Sequence, residues 1–386
     1  MVSVLYRVTG SLLEKVLRDK EKLRDKVESM IDRNAAKRAL EDGHARRRPR
    51  PCGMTIHTSI GCKFGCIYCY VPDMGFPMKP RPYPLTGLEL VYALLNNPYF
   101  LPGPYGTLLA FGSVTEPFME EAVERTLDYL EKTRKFLGNP TQISTKASIG
   151  EELLNKLLRV MDPQISFLVT VITIKHAKKL EPNAPKPDDR FETIRRLSKA
   201  SVHVTLFLRP IIPGLTDAEV PTLLSKAKES GAKGVVPGSL RVTPGILRRL
   251  KLAGLDVKEI KRRLPRQPRN SKDQVTIREH DLKRLVDIYA KKLGLRVYPS
   301  SCAANIEAHN LACYSCNWGP CGDPRKLPSV EENDAKDAVE VFGLRPTKLV
   351  VRGNKIVVHV KGGDQRTKDI VSVILSTVTK RNVVVR

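Results

Sequence analysis

The chain of 386 residues has no apolar run long enough to cross a bilayer. Its longest apolar stretch, around Ile165 to Ile174, falls well short of the roughly 20 residues a membrane helix needs. An integral membrane protein is therefore not expected. The first residues, Met1 to Gly10, lead straight into a highly charged stretch, so the apolar core of a secretory signal does not develop. A cytoplasmic protein without a membrane partner is the expectation. Acidic residues are also scarce: 41 Asp and Glu stand against 66 Lys and Arg, for a net charge of +25. Heat adaptation adds both signs together and leaves no such excess, so an anionic partner, nucleic acid above all, is implied. Internal repeats and low-complexity tracts are absent.

What remains is ordered in a way that suggests a single barrel with appendages. Residues 1–50 form a basic helical arm, in which Leu12, Leu13, Val16, Leu17, Leu23, Val27, Met30 and Ile31 recur at helical spacing. Residues 51–300 alternate strand-like runs with amphipathic helices. The strands are expected over 54–59, 107–113, 141–146, 165–174, 201–212, 233–242 and 295–298, with helices such as 119–137 between them. Thr216 and Glu219 have capping-box spacing at another helix start. This alternation means parallel strands joined by crossovers, closed partly into a barrel, with chemistry at the C-terminal ends of the strands. Residues 248–272 carry ten basic and two acidic residues and two prolines, and read as a surface insertion. Residues 301–325 form a cysteine-rich segment, and 326–386 a small α+β domain rich in Lys and Arg.

The eight cysteines are clumped, which in a reducing compartment points to metal or cluster ligation rather than disulfides. Cys62, Cys66 and Cys69 are spaced C-x3-C-x2-C directly after the first strand. A structural zinc site wants four protein ligands, and none follows at a suitable spacing, although His57 or Cys52 could serve. Three thiolates instead suit a 4Fe-4S cubane with one iron left open. Cys52, ahead of the first strand, reads as a buried small hydrophobe.

The run Cys62-Lys63-Phe64-Gly65-Cys66-Ile67-Tyr68-Cys69-Tyr70 resembles the cluster loop of the radical S-adenosylmethionine (SAM) superfamily, and the resemblance extends from Met54 to about Tyr298. It implies a partial (β/α)6 barrel, SAM chelated to the open iron, and reductive cleavage of SAM to methionine and a hydrogen-abstracting 5′-deoxyadenosyl radical. It also implies an electron donor such as ferredoxin or flavodoxin. Further segments are similar to the spore photoproduct lyase-like branch: Phe111 to Pro117, Ile143 to Lys146, Leu180 to Arg190 and Leu208 to Gly214. On that likeness Ser113, Thr115 and Glu116 accept the methionine ammonium protons, Lys146 meets its carboxylate, Arg209 meets the carboxylate or ribose, and the backbone of Tyr68 faces adenine.

Cys302, Cys313, Cys316 and Cys321 are enough for a second, fully ligated 4Fe-4S cluster or for zinc. Following the last barrel strand, they are expected above the barrel mouth near SAM. Their presence departs from the spore photoproduct lyase-like pattern. His309 and Asn305 read as exposed loop residues, and Trp318 as packed against the cluster loop. The implied enzyme modifies a C–H position in transfer or ribosomal RNA, with peptide modification and DNA-lesion repair as alternatives.

Overall fold

A computed structural model describes residues 7–50 and 53–386. Cys52 and the first six residues lie outside the described residues. All seven expected strands form, as one parallel sheet whose spatial order follows the chain. They are β1 (Met54–Ile56), β2 (Leu109–Phe111), β3 (Thr141–Thr145), β4 (Ser166–Thr170), β5 (His203–Ile211), β6 (Gly234–Ser239) and β7 (Arg296–Val297). The seventh extends the six-unit partial barrel at its edge.

Alternate residues of each strand face opposite sides of a sheet. Met54, Ile56, Leu109, Phe111, Ile143, Phe167, Val169, Leu206 and Leu208 join the core under the outer helices, with Leu90, Leu94, Leu130, Leu157, Ile194 and Leu223. The other face is the barrel interior, where Leu168, Phe207 and Val236 pack on Ala303 and Ala304 of the helix Ser301–Ala308.

The basic arm is not a solvated appendage. Its helices, Gly10–Glu28 and Arg33–Glu41, wedge between barrel and C-terminal domain: Leu13 packs with Ala335, Leu349 and Ile374, whereas Val27 and Ala39 join the barrel core. Lys20 is buried and caps a helix end by donating to the carbonyls of Asn97 (2.7 Å) and Phe100 (2.8 Å). The C-terminal domain contains the helix Glu332–Glu340, strands β8 (Arg345–Arg352) and β9 (Lys355–Lys361), the helix Gln365–Thr379 and strand β10 (Asn382–Val385). Among the described residues no helix is long and apolar enough to cross a membrane.

The capping box at Thr216 and Glu219 does not form. Glu219 reaches across to the loop after β4, accepting from the Thr173 hydroxyl and from the amides of Ile174 (2.8 Å) and Lys175 (3.1 Å), while Thr216 Oγ1 accepts from the Ile212 amide (3.1 Å). The loop after β4 is thus tied to the helix after β5 by one carboxylate, an outcome local spacing cannot foresee.

The second cysteine segment also departs from expectation. After β7 the chain reverses, and the helix Ser301–Ala308 runs back towards the N-terminal ends of the strands. Asn305 Nδ2 lies 3.4 Å from the carbonyl of Pro140, and His309 is buried, accepting the amide of Thr141 on Nε2 (3.3 Å). Glu307 pairs with Arg296 and accepts from Tyr298 (2.8 Å). The short hairpin that pairs Cys313 with Cys321 follows, and the Tyr314 amide donates to the Lys380 carbonyl (2.7 Å) of the C-terminal domain. Glu307 and His309 thus lie at the foot of the barrel, whereas Cys321 of the hairpin packs on Leu168 and Val236 of its interior. Trp318 is 62% exposed rather than packed under the cluster loop, with Lys283 Nζ 5.8 Å from its ring centre.

The foot carries an acid-sensitive contact. Burial opposes the charge of Glu307, but hydrogen bonds from His203, Tyr298 and Arg296 outweigh it and hold the carboxyl down at about 2, below its ordinary 4.5. The stability it contributes is complete above the unfolded value and is lost as pH falls towards 2. Glu307→Gln is expected to flatten the stability–pH curve between about 4.5 and 2. Acid titration of unfolding checks this, and an unchanged slope would exclude the linkage.

Candidate cofactor site at the barrel mouth

The loop after β1 is shaped by glycine as much as by cysteine. Gly61 has φ +80°, and a Cβ there would lie 2.5 Å from the Lys79 carbonyl oxygen. Beyond it Cys62, Cys66 and Cys69 are half-buried, and the Cys69 amide donates to the Cys66 carbonyl (3.0 Å) in a tight turn. The Ile67 amide is anchored 2.9 Å from the Leu180 carbonyl. Beneath the turn Tyr68 packs with Ile172, Leu180 and Ile212.

Burial pushes the Cys66 thiol up to about 12. A thiolate there needs positive charge, and Lys146, at the end of β3, is the nearby cation. Burial works against its ammonium, yet Cys66 and Glu181 hold its pKa above the ordinary value. Lys146 Nζ lies 5.7 Å from the centre of the Tyr68 ring. The Tyr68 hydroxyl donates to Glu181, and Glu181 pairs at 2.5 Å with Arg190, their side chains 0% and 1% exposed. Arg190 also donates to the carbonyls of Thr170 (3.1 Å) and Pro185 (2.8 Å).

The structure brings the other expected residues to the same mouth. Ser113 is exposed and Thr115 half-buried in the loop after β2. Glu116 is buried and holds strand ends together: its carboxylate accepts from the Thr145 hydroxyl (2.5 Å) and from the amides of Lys146 (2.8 Å) and Phe118 (3.2 Å). It thereby orients Lys146. Gly112, with φ +76°, lets β2 approach β3 so closely that a Cβ would lie 2.0 Å from the Ser144 carbonyl oxygen. Arg209 follows Phe207 on the inner face of β5 and lies across Gly238, where a Cβ would meet its Cγ at 2.3 Å.

Sequence reasoning missed one residue of this site. Arg249, counted as part of a surface insertion, turns inward from the helix Pro244–Leu252. It donates to the carbonyls of Ile67 (2.9 Å) and Cys69 (2.6 Å) and pairs with Asp73 (2.7 Å). Thr243 donates to the same carboxylate, and Gly245 leaves it room, since a Cβ would sit 2.3 Å from Asp73 Oδ1. The clamp spans more than 170 residues, and no local pattern announces it. Three neighbouring arginines expected to be open cations are also paired: Arg262 with Glu259, Arg263 with Glu259 and Asp281, and Arg266 with Asp273.

Three thiols in one turn are the donor set that a 4Fe-4S cluster with one open iron would use. Among the described residues no group of three or more His, Cys, Asp or Glu side chains is arranged to hold a metal ion. Thr58 Oγ1, Ser59 Oγ and Arg190 Nη2 are buried without a partner beside this loop. Such groups call for a bound acceptor or water.

Comparison with known proteins agrees with this geometry. Residues 56–227 match the model of the radical SAM superfamily, so the chain carries a radical SAM domain. An uncharacterized protein, ORF301, of Acidianus two-tailed virus is 25% identical over 174 residues, covering 42% of this chain and 56% of that protein. The chain thus spans little more than half the length of that relative. The fold is similar to spore photoproduct lyase complexed with a dinucleoside spore photoproduct, with TM-score 0.52 and 15% identity over 63% of this chain and 75% of that one. It is similar also to a variant of that lyase with bound AdoMet and the same dinucleoside, with TM-score 0.51 and 15% identity over 64% and 75%.

Proposed function

We propose, from the premise that this chain carries a radical SAM domain, that it is a radical SAM enzyme modifying a C–H position in nucleic acid, with RNA as the first reading. The observation that carries the cofactor assignment is the position of Lys146, a half-buried cation at a strand end facing both the Cys66 thiol and the Tyr68 ring. A 4Fe-4S cluster on Cys62, Cys66 and Cys69 with SAM bound would supply reductive cleavage of the sulfonium and a hydrogen-abstracting carbon radical. Lys146 offers a counter-charge for the methionine carboxylate, and Glu116 fixes its backbone. With SAM bound, Ser113 and Thr115 would accept ammonium protons, Arg209 would meet carboxylate or ribose, and the backbone of Tyr68 would face the adenine. Ile172, Leu180 and Ile212 exclude water beneath the loop.

The net charge of +25 supports a polyanionic substrate. A DNA-lesion lyase is the second reading, favoured by the fold shared with a lyase complexed with a dinucleoside spore photoproduct. Cys302, Cys313, Cys316 and Cys321 are proposed to hold an auxiliary 4Fe-4S cluster, with zinc as the alternative.

Lys146→Ala and Arg209→Ala are expected to weaken SAM binding about tenfold or more, from loss of a charge-assisted contact of roughly 1.5–3 kcal/mol, with iron content retained. Equilibrium binding checks this, and unaltered affinity in both variants would refute the assignment. Nucleoside mass spectrometry with and without the gene tests the substrate. A changed RNA profile supports the first reading and persistence of a DNA photoproduct the second. Neither change would redirect the search to a polypeptide.

A further inference from the structure

We infer that the outer face of the helix Pro244–Leu252 is the docking surface for a small acidic electron-donor protein, a proposal that rests on the radical SAM reading above. The inner side of this helix is bolted to the cluster loop, because Arg249 bonds the carbonyls of Ile67 and Cys69 and pairs with Asp73. Its outer side therefore stands about one helix diameter, roughly 10 Å, from the cysteine turn. Electron transfer falls steeply with distance, so a donor docked there has a short path to the Cys62 loop.

The outer side has the chemistry such a partner needs. Arg248, Lys251 and Leu252 lie at i, i+3 and i+4 and share one exposed face. Leu252 is 82% exposed, far more than the chain's other large apolar side chains described as exposed. With Pro244, Leu247, Lys261 and Gln267 they line an open depression of about 430 Å³. No carboxylate lines it. Among the described residues none of Arg248, Lys251 and Lys261 makes an ion pair, whereas the adjacent Arg262, Arg263 and Arg266 are all neutralised by acids. Arg248, Lys251 and Lys261 thus set uncompensated charge around one apolar centre.

That pattern separates a protein from a nucleic acid. Protein interfaces have an apolar centre and a polar rim, and complementary charge raises the rate of encounter. Single-stranded nucleic acid is held on aromatic platforms, and no aromatic side chain lines the depression. Its small extent matches the weak, transient contacts of electron-transfer partners. In each encounter the reduced donor, carrying flavin or an iron–sulfur centre, loses one electron and the cluster of the Cys62 loop gains it.

The test compares two reductants on the full-length protein reconstituted with iron and sulfide. In the variant Arg248→Glu, Lys251→Glu, Leu252→Ser, SAM cleavage driven by dithionite should be unchanged, because a small inorganic reductant needs no docking face. Cleavage driven by reduced flavodoxin should show a KM for flavodoxin raised about tenfold or more, with its salt dependence flattened. An unchanged KM overturns the proposal, as does a loss shared equally with dithionite. Loss of nucleic-acid binding with flavodoxin turnover intact would also overturn it, giving the surface to the substrate. Calorimetric titration with flavodoxin keeps the two readings apart: absence of SAM cleavage in the unaltered protein defeats the radical SAM reading, whereas equal flavodoxin binding by the unaltered and variant proteins defeats the docking surface.

Discussion

Anaerobically reconstituted protein in which Cys62, Cys66 and Cys69 are all replaced by alanine is expected to lose about four of the seven to eight irons of the unaltered protein, and with them all SAM cleavage. The three thiols are the ligands the turn presents, and Lys146, Tyr68 and Arg249 are arranged around that turn rather than around any other metal-binding group. Iron remaining in the variant would belong to the second cysteine group. Metal analysis that finds one zinc and four irons in the unaltered protein would make the C-terminal cysteines a structural staple between barrel and C-terminal domain. SAM cleavage that survives removal of the three thiols would defeat the functional reading entirely.

A loss of stability of about 3–5 kcal/mol is the expected result of Arg190→Met or Glu181→Leu, because each leaves one buried charge without its partner. The pair is nearly inaccessible, with side chains 1% and 0% exposed, and Arg190 is among the largest fully buried side chains of the protein. The double replacement by apolar residues should recover much of the loss, since two missing charges leave no uncompensated one. Thermal and urea unfolding measure both. Glu181 also accepts from the Tyr68 hydroxyl, so the Glu181 variant should in addition alter the optical spectrum of the reconstituted cluster, whereas the double variant regains stability without regaining that contact. If the single changes cost less than 1 kcal/mol, the pair contributes no more than an exposed one.

The paired arginines near the insertion show where a charge count misleads. Residues 248–272 hold ten cations and two acids in sequence, but Asp273 and Asp281, just beyond that window, fold back to neutralise Arg266 and Arg263. The surface left charged is narrower, and part of it, Arg248 and Lys251, lies on one face of the helix Pro244–Leu252. His309 shows the same effect for a single side chain. It follows a helix in an apparently open segment, yet reversal of the chain buries it against the start of β3.

By itself the sequence determined the seven strands, the cysteine turn and the strand-end positions of Ser113, Glu116, Lys146 and Arg209. These depend on short-range facts: apolar runs that only a sheet between two covers can bury, and thiols whose spacing within one loop is set by a few backbone dihedrals. Tertiary structure alone decided that Arg249 clamps the cluster turn, that Glu219 binds the loop after β4 instead of capping its own helix, and that His309 is buried at the barrel foot. Each outcome turns on the direction a chain or side chain takes after a reversal. That direction is set by which buried polar groups find partners more than 40 residues away, and no local periodicity carries that information.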